Sequence, residues 1–499
     1  MHLSKKHLAS IPSGVIEIPD EKIFKLPEKI LQFGTGVLLR ALPDYFVDKA
    51  NRNGIFNGRI LVIKSTKAGD SESFDRQDGL YTICERGIES GIGIDRAIIC
   101  SAISRVLSAS HQWAEVLLSA ANEQMKIVIS NTTEVGVQLL KESIFQSPPA
   151  SFPAKLLAFL FERYKIFKGE ASAGMVIIPT ELLSDNGKIL KQILIELSAF
   201  NELDASFVEW LEKHNHFCSS LVDRIVPGKP VQEIKQELEQ NLGYTDELMT
   251  VCEVYRLWAI EGDEHIRKIL SFYSEDEGVI ITRDITKYKE LKLRMLNATH
   301  TLCCGLAHLS GFLTVKDAMD NQVFSSYLQN LMMDEIGEAI PMELTENEIN
   351  EFGKKVLDRF RNPYLQHHWL SITMQYSSKL SMRVIPVLKR YYELFNKPPV
   401  FISLGFAAFI LFMRPVKKDS DKYFGMHNGM HYLINDDRAP NFYNLWQTDA
   451  VDDLVHTLFA NTEIWNINLN SLEGFEESVT KKLKSLIRSG TYPVLSALK

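Results

Sequence analysis

The sequence predicts an α/β protein in two parts. A doubly wound N-terminal domain spans residues 1–285, and a mostly α-helical C-terminal domain spans residues 286–499. Three observations predict it. Short β-rich runs alternate with helical patterns through the first half, the mark of parallel βαβ units. A Gly-x-Gly turn, Gly34-Thr-Gly36, stands between the first such run and the first helical pattern. From about Tyr288 onward, apolar residues recur with helical spacing.

Taken in order, Lys29-Ile-Leu-Gln-Phe33, Arg59-Ile-Leu-Val-Ile63, Lys126-Ile-Val-Ile-Ser130 and Gly174-Met-Val-Ile-Ile178 read as buried strands. Helices are expected between them at residues 37–50, 112–122 and 154–167. The polar, glycine-rich stretch at 67–108 breaks this rhythm and reads as an insertion carrying extra strands or loops. In the second half, helices are expected at 289–308, 322–336, 347–360, 380–395 and 401–413. Pro, Gly and Asp at 419–441 predict a loop-rich stretch before the last helices.

The 499 residues are too many for one core. With 45% hydrophobic and 24% charged residues, the composition is that of an ordinary globular protein. A net charge of −8 argues against nucleic acid or an anionic membrane as the main partner. No apolar run reaches the ~18 residues that span a bilayer, and the first ten residues lack a signal-peptide core. Six scattered cysteines with no CxxC pair predict reduced thiols and a cytoplasmic location. A monomer and a homo-oligomer fit equally.

Gly34 and Gly36 stand where a Rossmann-type dinucleotide site needs them, after a strand and before a helix. There the backbone approaches a pyrophosphate and the helix start favours negative charge. The cofactor residues expected here are Phe33, Gly34, Thr35, Gly36 and Arg40. The third glycine of the usual fingerprint is replaced by Leu39, and a plain tight turn would look the same. After the second strand, Lys64-Ser65-Thr66 and Asp70 leave NAD and NADP both open. At the end of the third strand, Asn131, Thr132 and Glu134 are expected near a nicotinamide, or equally as a helix-capping cluster.

The most telling pattern is Lys292-x4-Asn297-x2-His300. On an α-helix Asn297 lies roughly 140° from Lys292, and His300 roughly 80°, so all three fit one broad arc. An amine that moves an alcohol proton, with two groups that hold substrate oxygens, suits hydride transfer. Alone, the same residues fit a surface lysine beside locally packed polar groups.

Together with Gln77-Asp-Gly-Leu-Tyr-Thr82, Leu221-Val-Asp-Arg-Ile225 and Arg359-Phe-Arg-Asn-Pro363, these pieces resemble the long-chain polyol dehydrogenases of the mannitol dehydrogenase family. The likeness runs over nearly the whole chain. Ser130-Asn-Thr-Thr-Glu-Val-Gly136, Ile177-Ile-Pro-Thr-Glu-Leu182 and Phe217-Cys-Ser-Ser-Leu-Val-Asp-Arg-Ile-Val226 point to members that interconvert D-tagaturonate and D-altronate. Fructuronate-reducing and mannitol-oxidising members are the alternatives. The resemblance implies a Rossmann-type domain, a helical domain with the site in a cleft between them, NAD as cofactor, a small sugar-acid substrate and no metal. It implies Lys292 as general acid/base, Asn297 and His300 as holders of substrate hydroxyls, and Arg359 as a substrate-binding residue. Arg361, His367 and Lys379 are further candidates for the substrate carboxylate. Where mannitol-oxidising relatives carry an oxyanion-binding Asn, this chain has Leu182.

Other chemistries find less support. Neither His427-x3-His431 nor His214-x-His216-x-Cys218 completes a metal site. No GxSxG elbow is present. A catalytically silent dinucleotide-binding regulator would keep the glycines but has no need of Lys292, Asn297 and His300.

Overall fold

The structure is a computed structural model that describes residues 1–12, 14, 16–65, 71–132, 136–448 and 450–498. The chain divides into two compact units. The first is Met1–Gly87 with Gly93–Ile285, and the second is Ile88–Ile92 with Thr286–Lys499.

The first unit is built on six parallel strands: β1 (Glu28–Phe33), β2 (Arg59–Lys64), β5 (Ile103–Ser108), β6 (Ile127–Ser130), β7 (Val176–Pro179) and β8 (His216–Phe217). Two intervening strands, β3 (Tyr81–Glu89) and β4 (Ile92–Cys100), belong to a separate sheet. The spatial order β5-β2-β1-β6-β7-β8 is that of a doubly wound Rossmann sheet. The central strands read as largely apolar runs because both faces are covered. Ile30, Ile60, Val62, Ile127 and Ile129 enter one core, while Leu31, Leu61, Ile63 and Val128 enter the core on the other face.

The expected insertion at 67–108 is corrected in part. Its end, β5, is the third strand of the main sheet and pairs with β2. The β3–β4 hairpin stands where a crossover helix would, so the alternation on which the reading relied was lost. The helix expected at 37–50 is two, α1 (Val37–Ala41) and α2 (Pro43–Arg52), because Pro43 cannot continue the first and starts the second. Two small three-stranded sheets complete the unit: β10 (Thr250–Cys252) with β3 and β4, and β9 (Ser220–Asp223), β11 (Leu257–Glu261) and β12 (Val279–Thr282).

The second unit is helical. Its stem runs through α3 (Thr286–Leu291), a π-helical segment (Lys292–Ala298) and α4 (Thr299–Leu309). Around it lie α5 (Glu346–Phe360), α6 (Tyr376–Phe395) and α7 (Val400–Phe412). Helix α7 is apolar all round and lies in the core. It packs so closely on α4 that a Cβ at Gly405 would fall 2.6 Å from Leu302. The expected loop at 419–441 is instead mostly an antiparallel sheet of β13 (Lys417–Asp419), β14 (Lys422–His427) and β15 (Met430–Ile434). No helix among the described residues is long and apolar enough to cross a membrane.

Candidate active site

In the first unit, β1 and β6 are neighbours from which the chain winds away in opposite directions. This is the switch point where doubly wound sheets bind ligands, outside the strand ends. Gly34 follows β1 with φ +127, in the left-handed region. A Cβ there would meet Leu39 at 2.9 Å and the Asn131 carbonyl at 3.1 Å. Leu39 fills the place of the missing third glycine and is fully buried. Gly36 differs: a Cβ on it would have no protein atom within 4 Å. The protein itself does not require glycine at 36, whereas an approaching diphosphate would. The hydroxyl of Ser65, past the end of β2, is buried without a hydrogen-bond partner among the described residues. These two features fit a dinucleotide.

Asn131 and Thr132 extend β6 at the same edge. The Asn131 amide donates to the Thr180 carbonyl (3.2 Å) and hydroxyl (3.0 Å). The Thr132 N–H donates to Glu181 Oε1 at 2.9 Å, and the Ser130 hydroxyl to Oε2 at 3.2 Å. Glu181 is buried, and burial raises its pKa against these hydrogen bonds. The sequence shows Glu181 only as part of the run Ile177-Ile-Pro-Thr-Glu-Leu182, and in the structure that acid organises the turn. Leu182 itself is 65% exposed. Glu134, Thr66 and Asp70 lie outside the described residues.

Two expected cofactor residues face inward. The Phe33 ring packs on Phe152 in the core, 5.2 Å between centroids. Arg40 is buried, donates to the Leu248 carbonyl and lies over the Tyr81 ring. Thr35 stays half-buried beside Gly36.

In the second unit the stem carries the lysine pattern. Lys292 to Ala298 form a π-helix, in which N–H groups bond five residues back. Residues five apart therefore lie nearer one side than in an α-helix, and the roughly 140° between Lys292 and Asn297 narrows. The helix then reverts to α, which makes His300 the i+3 neighbour of Asn297. Lys292 and Asn297 are both half-buried. The Asn297 side-chain amide makes no hydrogen bond among the described residues, and its main-chain carbonyl accepts from the Thr301 hydroxyl at 2.7 Å.

His300 is buried. Its ring stacks on Phe360 at 4.2 Å and meets His367 at 5.2 Å and Trp369 at 5.9 Å edge-on. Its Nε2 and the Trp369 Nε1 are buried without partners among the described residues. Burial holds the His300 pKa well below the usual imidazole range, and the charges of His367, Arg359 and Arg383 push it the same way. The ring is therefore a neutral hydrogen-bonding group at neutral pH, with one nitrogen to offer. Burial and Arg359 likewise lower His367.

The remaining candidates separate. Arg359 is buried at the end of α5 and acts on both histidines. Lys379, on α6, donates to the Ile372 carbonyl at 3.0 Å, and its pKa is lowered by burial and by Arg383. Arg361 caps the C-terminus of α5 and makes no hydrogen bond or ion pair with the cluster. Arg383, which sequence reasoning missed, donates to the Thr301 hydroxyl at 3.0 Å. Its spacing of four from Lys379 on one helix was the available signal. The metal-type histidine pattern at 214–218 is broken, since His214 ends a helix and β8 holds only His216 and Phe217. Among the described residues no group of three or more His, Cys, Asp or Glu side chains is placed to hold a metal ion.

A wound parallel sheet with a glycine turn at its switch point, joined in one chain to a helical unit bearing lysine, amide and imidazole, defines a two-domain Rossmann-type oxidoreductase. Residues 28–271 match the mannitol dehydrogenase Rossmann domain and residues 284–487 the mannitol dehydrogenase C-terminal domain. The chain belongs to the mannitol dehydrogenase family. It is 35% identical to the altronate oxidoreductase of Halalkalibacterium halodurans, over 96% of this chain and 94% of that one. It is 37% identical to the altronate oxidoreductase of Bacillus subtilis, over 93% and 94%. Among solved structures, D-sorbitol dehydrogenase in substrate-free form superposes with a TM-score of 0.80 at 20% identity, covering 99% of this chain and 100% of that one. The Pseudomonas fluorescens mannitol 2-dehydrogenase ternary complex with NAD and D-mannitol gives a TM-score of 0.69 at 21% identity, covering 100% and 99%.

Proposed function

We propose that this protein is an NAD-dependent oxidoreductase that reduces D-tagaturonate to D-altronate and catalyses the reverse oxidation. The observation that carries the reading is the second unit's cluster. A lysine and an unpaired amide share one side of the π-turn, and a neutral imidazole follows, ringed by cationic groups suited to a sugar acid. The near full-length likeness to altronate oxidoreductases supports the choice of acid.

Gly34, Gly36, Asn131 and Thr132 would hold the dinucleotide at the switch point, with Ser65 at the end of the neighbouring strand. Bound there, the nicotinamide supplies hydride in reduction and takes it in oxidation. Lys292 moves the proton. Its ammonium gives one to the carbonyl oxygen as the alkoxide develops, and its neutral amine takes one from the hydroxyl in the reverse direction. The Asn297 amide and His300 Nε2 hold substrate oxygens in line, so that the reacting carbon does not wander. Because His300 stays neutral, it steadies the substrate without competing for the proton that Lys292 handles. Arg359, His367 and Lys379 face the acid end of the substrate. Arg361 has no part in this arrangement.

The test is the decay of NADH absorbance with D-tagaturonate, D-fructuronate and D-fructose, repeated with NADPH. Preferred turnover of tagaturonate with NADH is expected. Preference for fructuronate or fructose would move the enzyme elsewhere within its family, and NADH binding without any turnover would make it a sensor.

A further inference from the structure

Arg383 leaves half of its guanidinium unused. Nη1 donates to the Thr301 hydroxyl at 3.0 Å and the Asn297 carbonyl at 3.5 Å. Nε is buried without a partner, and Nη2 makes no hydrogen bond among the described residues. Nε and Nη2 form the edge that pairs with both oxygens of a carboxylate. Burying a donor with nothing to receive its proton costs stability, so such an orphan calls for a role.

The charge around it is equally unbalanced. Lys379 lies one turn earlier on α6, and like charges four apart oppose each other. Neither makes an ion pair with a carboxylate among the described residues. The charge of Arg383 reaches His300, whose Nε2 is another orphan of this cluster.

The backbone under Arg383 is held in place. Pro386, inside α6, has no N–H to give the carbonyl of Met382 four residues back. Arg294, on the π-turn, supplies that donor. Its Nη1 reaches the carbonyls of Met382 and Arg383 at 2.8 Å each, while Glu290 anchors its Nε at 2.8 Å. Arg294 thus ties the π-turn to α6, and Arg383 ties α6 back to the π-turn at Asn297. A side chain held from both ends loses little further freedom when it pairs with a ligand.

We propose that Arg383, with Lys379 beside it, is the carboxylate-reading residue that restricts this site to sugar acids. The inference rests on the keto-uronate reading above and names the group that enforces it. A uronate presents two coplanar oxygens to the guanidinium edge. A neutral ketose presents a hydroxymethyl group, which leaves that edge unsatisfied and is rejected for that reason.

Arg383→Gln and Arg383→Lys test it, each assayed with NADH on D-tagaturonate and on D-tagatose, its neutral counterpart. For Arg383→Gln, KM for tagaturonate should rise roughly 10- to 100-fold, the loss of a charged paired hydrogen bond. The ratio of kcat/KM for acid over neutral sugar should collapse by a similar factor, and Arg383→Lys should recover part of it. Added guanidinium should partly rescue Arg383→Gln on the acid only. Equal losses on both sugars, with a lowered melting temperature, would make Arg383 a structural clamp and overturn the proposal. So would an unchanged KM for the acid. A wild-type enzyme that reduces no keto-uronate would instead sink the functional reading and this inference with it, whereas a preference for fructuronate would leave the inference standing.

Discussion

Asn297 follows Lys292 by five residues within the π-helical segment, so amide and amine stand closer to one side than the roughly 140° of an α-helix would place them. This yields a discriminating experiment. Lys292→Ala should lower kcat by about 10²–10⁴ while NADH still binds, the usual consequence of losing a general acid/base. Moving the lysine one position, in Lys292→Ala with Leu293→Lys, should not restore turnover. Recovery in the double variant would show that turnover does not need the amine at 292, and the role argued for the pair would fall.

His300 makes its contribution as a neutral ring. Burial, with His367, Arg359 and Arg383 around it, keeps the imidazole from taking a proton until well below the usual range. The pH profile of kcat/KM should therefore show no loss from this group near pH 6.5. His300→Phe should keep the stack on Phe360 and the edge contact with Trp369, and with them the melting temperature. Both ring nitrogens are removed, Nε2 among them, so kcat/KM should drop by roughly 10- to 100-fold. A profile that loses activity on a group titrating near neutrality, and loses that dependence in His300→Phe, would show that the ring ionises during turnover.

How much of this was legible in the sequence follows from how local each cause is. Gly34, Gly36 and the lysine pattern announce themselves because a turn and a helix face are set by near neighbours. The central strands were plain because burial on both faces makes them largely apolar runs. The π-turn was invisible, since residue type does not reveal whether N–H groups bond four or five residues back. Arg383 was missed because its meaning lies in Pro386 and Arg294, one on its own helix and the other on a helix distant in sequence. Strand β13 is fully exposed and polar, so Lys417-Lys-Asp419 offers no alternation to read. Arg40 looked like a cofactor residue by position alone, and only the folded chain shows its partners at Leu248 and Tyr81.

The two glycines of the turn should fail differently. At Gly34 a side chain meets both a left-handed backbone and the Asn131 carbonyl, so Gly34→Ala should cost roughly 1–3 kcal/mol of stability. At Gly36 the backbone is ordinary and the space is open, so Gly36→Ala should fold like the wild type. It should nevertheless weaken NADH binding by roughly 10-fold or more, about 1.4 kcal/mol, by filling the space a diphosphate needs. Thermal melting and fluorescence titration with NADH separate the two. If Gly36→Ala binds NADH as tightly as the wild type, the turn is only a turn.

Beneath that turn lies a buried carboxyl whose proton should set part of the stability of the first unit. Asp44 is fully buried, and burial lifts its pKa from 3.8 to about 7, against the Tyr81 hydroxyl at 3.0 Å and the charge of Arg40. Its Oδ1 accepts no hydrogen bond among the described residues, and a proton on the carboxyl removes the charge that burial penalises. The folded pKa stands above the unfolded one, so the native state holds the proton more tightly than the unfolded chain. The contribution is complete below the ordinary carboxylate range and is lost as pH rises through about 7. One pKa unit is worth about 1.4 kcal/mol, so up to roughly 4 kcal/mol is at stake for a group this deeply buried. Asn at this position mimics the protonated acid. Asp44→Asn should therefore gain stability relative to the wild type as pH is raised from about 4 to about 8, and the gain should level off above 7. Denaturation in urea across that range measures it. A difference that stays flat, or that shifts in favour of the wild type with rising pH, would mean that Asp44 is charged in the native state and paired with Arg40.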